Sequence, residues 1–157
     1  MSQLRFIPYY FIDANLTPII ADALTYCGND CDSVHKLYKG ETNKDDRLII
    51  NHLGAYGRQK SVWVTSDVDA KKIHARYMMS KQNSVLWIFR PSEGLSVLHE
   101  LLIMCLIIEP LNDLITNAQN ALYLRATLLM PHKKARLERL ISPLTSPKME
   151  LKKVSLV

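Results

Sequence analysis

Residues 6–13, FIPYYFID, constrain the fold more than any other stretch, because seven apolar or aromatic side chains run unbroken into a single carboxylate. A strand that alternates polar and apolar residues can leave one face in water, but an unbroken apolar run has to be covered on both faces, as in the centre of a parallel sheet. The chain then turns at once into a helix. In NLTPIIADALTYCG, Thr17 is placed to cap, Pro18 suits the first helical position, and Gly28 can take the left-handed backbone that ends a helix. Ile20, Leu24 and Cys27 recur at helical spacing and give this helix a face to bury. A strand feeding a helix through a tight turn opens an α/β unit.

The same alternation continues along the chain. DSVHKLY at 32–38 reads as a short strand. The stretch 42–57, TNKDDRLIINHLGAYG, starts with Thr42 as N-cap, has Asp45 where an acid answers the helix dipole, and buries Leu48, Ile49, Leu53 and Tyr56. SVWVT at 61–65 and SVLWIF at 84–89 are β-branched and aromatic, and DAKKIHARYMMS between them sets Ile73, Tyr77 and Met78 at helical spacing. From 95 to 108 the length favours a helix, with His99 and Glu100 as its solvent-facing start; Pro110 breaks or kinks it, and LNDLITNAQNA resumes helical spacing. ALYLRATLLM at 121–130 fits an edge strand or a helix, and Pro131 opens a basic helix, HKKARLERLI. This order predicts an α/β fold, a three-layer α/β/α sandwich with a parallel central sheet. Residues 1–130 form its domain and 131–157 a basic helical C-terminal extension.

A length of 157 residues suits one domain, and 48% hydrophobic with 22% charged residues excludes a chain too polar to build a core. The longest apolar run, LLIMCLII at 101–108, has eight residues where a membrane span needs roughly 20, so no membrane partner is expected. Cys27, Cys31 and Cys105 give no pairing framework and read as reduced thiols of a cytoplasmic protein; Asp13 interrupts the apolar start before a signal peptide is complete. Charge is uneven: residues 1–123 carry 12 Lys/Arg against 13 Asp/Glu, and residues 124–157 carry 8 against 2. Such a tail suits a polyanion, with Lys133, Lys134, Arg136 and Arg139 as candidate phosphate contacts, or is simply a solvated helix face.

GxxxxGK[ST], GxGxxG and GxSxG are all missing, which removes support for a P-loop NTPase, a dinucleotide enzyme or a serine hydrolase. The five histidines have no ligand spacing. In a parallel α/β sheet chemistry sits outside the carboxyl ends of the strands. Asp13 closes 6–13, Asp67 closes SVWVTSD with Asp69 two residues on, and Asp45 and Asp46 start a helix. Three stretches thus deliver carboxylates to one rim, as a hard cation such as Mg²⁺ requires. Any one of these aspartates alone would more often be a cap or turn residue.

FIDANLTPIIADALTYCG and VWVTSD, with the Asp45–Asp46 pair between them, resemble the PIN-like domains of prokaryotes, particularly those close to the toxin nucleases of toxin–antitoxin systems. The resemblance covers roughly residues 9–90. It implies an Mg²⁺- or Mn²⁺-dependent ribonuclease with Asp13, Asp45 and Asp67 as catalytic metal ligands, Asp46 standing as the alternative to Asp45. It also implies a further acid in the next helix, where KKIHARYMMS has none and Asp69 is the nearest substitute. RNA, an antitoxin protein and a second copy of the chain are the candidate partners. Two rivals stand beside it: a non-catalytic PIN-like module that binds RNA or protein, and a phosphoacceptor protein using a strand-end Asp, for which FRPSEG at 89–94 supplies Arg90 where a lysine is wanted.

Overall fold

The structure is a computed structural model and describes residues 7–39, 45–55, 60–92, 94–129 and 148–154. The apolar run becomes β1, Tyr9–Ile12, buried along its whole length. In chain order there follow α1 (Ile19–Tyr26), β2 (Asp30–Ser33), α2 (Val34–Leu37), α3 (Asp46–Ala55), β3 (Ser61–Thr65), α4 (Val68–Lys81), β4 (Ser84–Ile88), α5 (Val97–Asn117), β5 (Tyr123–Leu129) and β6 (Lys148–Lys153). The six strands form one sheet in the order β2-β1-β3-β4-β5-β6, parallel except for the antiparallel pair β5 and β6.

Strand periodicity then builds two cores. On one face Tyr10, Ile12, Val62, Val64, Leu86 and Ile88 meet the stripes of α1 and α5; on the other Tyr9, Phe11, Trp63, Val85 and Trp87 meet Val34, Ile49, Ile50, Leu53 and Met78. This is the layered α/β arrangement expected from the sequence. No helix among the described residues is long and apolar enough to cross a membrane.

Several local expectations are corrected. Thr17 does not cap α1: Pro18 occupies the N-cap with no side-chain cap bond, and the Thr17 N–H is taken by Glu100 Oε2 at 2.8 Å. Cys27 lies past the helix end and is exposed, while Gly28 does adopt positive φ, at 86°. The strand expected at 32–38 ends at Ser33, because the Ser33 hydroxyl accepts the Lys36 N–H at 3.1 Å and starts a helical turn. In α3 the buried stripe is Ile49, Ile50 and Leu53; Leu48 is exposed, and Thr42 and Tyr56 lie outside the described residues. Met78 is buried in α4, but Ile73 faces solvent.

Pro110 does not break α5. Ile103, Met104, Ile107, Leu111 and Ile115 form one buried stripe on both sides of it, while Pro110 and Leu106, whose carbonyl loses its helical partner, lie on the solvent side where water can serve that carbonyl. Glu100, expected in solvent, is buried, because it continues the same stripe. Within 121–130, Tyr123–Leu129 is a strand, and it is not the edge. The edge is β6, so residues 148–153 of the expected helical extension belong to the sheet: Lys148 to Lys153 pair residue by residue with Leu129 to Leu124. The basic helix expected from Pro131, with Lys133, Lys134, Arg136 and Arg139, lies outside the described residues.

One polar group is built into the second core. The Tyr9 hydroxyl donates to Asp32 Oδ2 at 3.2 Å and lies 3.1 Å from His52 Nε2, and burial holds the His52 imidazolium below its ordinary pKa, with Asp32 opposing.

Candidate functional site

The chain leaves β1 for β2 on one side and returns to β3 on the other, so the carboxyl ends of β1 and β3 flank the point where strand order reverses. Ligand crevices form there in open α/β sheets, because the flanking loops diverge to opposite faces. Asp13 and Asp67 stand at this point.

Asp13 follows β1 and is buried, 7% exposed. Its backbone N–H continues the ladder to Val64 O at 2.9 Å. Oδ2 accepts the Thr65 hydroxyl at 2.6 Å and Asn15 Nδ2 at 3.1 Å, and Oδ1 accepts the Ala14 N–H at 2.7 Å. Burial raises the Asp13 pKa, the Thr65, Ala14 and Asn15 donors pull it back, and the charge of Asp67 adds to the rise.

Thr65 and Asn15 tie the two strand ends together. Asn15 Nδ2 also donates to Thr65 Oγ1 at 3.1 Å, Asn15 Oδ1 accepts the Ser66 N–H at 3.1 Å, and Thr65 Oγ1 accepts the Asp67 N–H at 3.1 Å. The loop is clasped from both layers as well: Ala14 O lies 3.1 Å from His35 Nε2, and Asn15 O accepts Arg90 Nη2 at 2.9 Å. The same Arg90 nitrogen is 2.8 Å from Glu100 Oε1, so a buried acid of α5 fixes a half-exposed cation on the loop that follows Asp13.

Asp67 caps α4, with Oδ1 accepting the Asp69 N–H at 2.8 Å, and its carbonyl accepts Trp87 Nε1 at 3.0 Å. Asp69 lies exposed in the first turn of that helix. Of the adjacent pair on α3, Asp45 is exposed and spends Oδ1 on the Arg47 N–H at 3.0 Å. Asp46 is half-buried, and its pKa is raised first by burial and then by the charge of Asp13, with smaller contributions from Asp67 and Asp45, against the lowering effect of His74, whose Nε2 lies 3.6 Å from Asp46 Oδ2. The third carboxylate in the field of Asp13 and Asp67 is therefore Asp46. The reason is phase: Asp46, Ile49, Ile50 and Leu53 follow i, i+3, i+4, i+7, so Asp46 extends the buried stripe and Asp45 does not.

Among the described residues no three His, Cys, Asp or Glu side chains gather closely enough to hold a metal ion as they stand. Two carboxylates completed by water and a phosphate suffice for Mg²⁺, however. A carboxylate accepts about four hydrogen bonds. Asp13 Oδ2 accepts two and Oδ1 one, and Asp67 Oδ1 accepts one, so each side chain retains acceptor capacity for a cation. The donor set is all oxygen, which fits a hard divalent ion.

Thr65, Arg90, Glu100 and His74 surround these aspartates through hydrogen bonds and ion pairs. Glu100 was legible in principle, since it sits in phase with Ile103, Met104 and Ile107 as Asp46 does with its own stripe. No protein-family model, curated protein or solved structure matches the chain.

Proposed function

We propose that this chain is a PIN-like, Mg²⁺- or Mn²⁺-dependent ribonuclease, with Asp13 and Asp67 holding the ion and Asp46, in place of Asp45, completing the acidic field. The observation that carries this reading is Asp13: a buried, threefold hydrogen-bonded carboxylate at the strand-order reversal, in the field of two further acids. Such a group is unfavourable for stability alone, since burial and like charges both oppose its ionisation.

A bound divalent ion would supply the acidity that activates a water and would offset charge on the phosphoryl oxygens. Thr65, Asn15 and the Ala14 N–H oppose the rise in the Asp13 pKa and fix its carboxylate in orientation. Arg90, anchored by Glu100, provides a cation at the crevice for the phosphodiester. Asp69, exposed on the first turn of α4, would act through water.

The test is cleavage of single-stranded RNA by highly purified wild type and Asp13→Asn side by side, with Mg²⁺, with Mn²⁺ and with EDTA. Wild-type cleavage that needs metal and disappears in Asp13→Asn is the expected result; cleavage that survives both EDTA and the substitution overturns it. Because no three His, Cys, Asp or Glu side chains among the described residues gather as they stand, one second reading stands beside it, a non-catalytic PIN-like module that binds RNA or protein. RNA binding by the wild type with neither cleavage nor Mn²⁺ binding selects that reading.

A further inference from the structure

The sheet face around β5 differs from the rest. Leu124, Ala126 and Leu128 point into the core under α5, so Arg125 and Thr127 point to the opposite face. There the buried core reaches as far as Val85 and Trp87 of β4, with Tyr123 and Val154 at its margin. Arg125 stands outside it, opposite Trp87 on one side and Lys152 on the other.

Arg125 has no acidic partner among the described residues, and its buried Nε has no hydrogen-bond partner. Its guanidinium carbon lies 5.9 Å from the centre of the Phe89 ring. Phe89 is 43% exposed although it directly continues a fully buried strand. This pair adjoins the crevice, because Trp87, one strand position before Phe89 on the same face, donates its Nε1–H to the Asp67 carbonyl. Lys152 adds an exposed ammonium, 3.2 Å from Glu150.

A cation with no acidic partner among the described residues, stacked on an exposed aromatic ring, offers what a single nucleic-acid strand uses: a π-face for a base and a charge for the phosphate next to it. A duplex, whose bases are stacked and paired, has no base to offer the ring. We propose that Phe89, Arg125 and Lys152 form the track on which single-stranded RNA leaves the Asp13/Asp67 crevice across β4, β5 and β6. The proposal rests on the ribonuclease reading for its substrate, and its contacts are separate from the acids.

The test is fluorescence anisotropy of the full chain with labelled oligouridylate, oligoadenylate and an RNA duplex, in EDTA so that cleavage plays no part, at several salt concentrations. Phe89→Ala should weaken single-strand binding about tenfold and Phe89→Trp should restore it. Arg125→Gln should weaken binding and reduce the salt slope by about 0.7. Thermal melting checks each fold; if Arg125→Gln unfolds, the exposed Lys152→Gln carries the salt measurement. Wild-type affinity in both Phe89→Ala and Arg125→Gln overturns the track, as does a wild type that binds duplex as well as single strands. If the wild type cleaves RNA with metal while these variants bind unchanged, the track fails and the nuclease reading stands. If binding depends on Phe89 and Arg125 but no metal supports cleavage, the nuclease reading fails and the track stands.

Discussion

Thr65 Oγ1 donates to Asp13 Oδ2 at 2.6 Å across the parallel pair β1 and β3, so the residue that ends one strand holds the carboxylate that ends its neighbour. The same oxygen accepts from Asn15 and from the Asp67 N–H, which makes a single buried hydroxyl the junction of both acidic segments.

Thr65→Val keeps the shape of the side chain and removes that junction. Leaving buried polar groups unpaired costs about 1–3 kcal/mol, so urea denaturation should show a loss of that size. Thr65→Ser should retain most of the stability, because the hydroxyl remains. Equal midpoints for Val and wild type would mean that the hydrogen bond adds nothing.

Asp67 caps α4 and, on the proposed reading, also holds a metal ion, and substitution separates the two. As the N-cap of α4 it accepts the Asp69 N–H, and Asn can do the same; as a metal ligand it needs its charge. Asp67→Ala should therefore lower stability by about 1 kcal/mol and Asp67→Asn by much less, while both abolish metal-dependent cleavage. Full cleavage by Asp67→Asn would remove it from the metal site.

Arg90 and Glu100 should be strongly coupled. Arg90→Met leaves the Glu100 carboxylate buried with the Thr17 N–H as its remaining donor and should cost about 2–3 kcal/mol. Combined with Glu100→Gln the loss should be smaller than the sum, by about 1 kcal/mol in a double-mutant cycle read from urea unfolding. Additive losses would show that the pair is not an energetic unit.

His52 sets an acid limit on stability. Burial lowers its folded pKa below the unfolded value of about 6.5, so the folded state binds fewer protons. Its contribution is present above the unfolded value and is lost as pH falls through the lowered folded value. Thermal melting points of wild type should drop through that window, and His52→Gln should flatten this part of the profile. An unchanged pH profile in the variant would assign the drop to other groups.

Local pattern alone determined the main strands and helices and the placement of Asp13 and Asp67, because an apolar β-branched run ends where its first polar residue meets the sheet edge. It also placed Gly28 at the end of α1, since a left-handed residue there is a local requirement. Tertiary structure decided what depends on which helix face docks. Asp45 and Asp46 are neighbours in sequence, but a helix turns 100° between them, and only packing of Ile49, Ile50 and Leu53 on the sheet selects Asp46. Glu100 was turned inward in the same way, by the stripe it continues, and found Arg90 and the Thr17 N–H there. The pairing of β6 with β5 was settled by register between segments about twenty residues apart, where a polar sequence such as KMELKK carries little apolar signal of its own and the partner strand supplies the hydrogen bonds. The contact between Arg125 and Phe89 has the same origin: the two are thirty-six residues apart, and only the parallel pairing of β4 with β5 stacks one on the other.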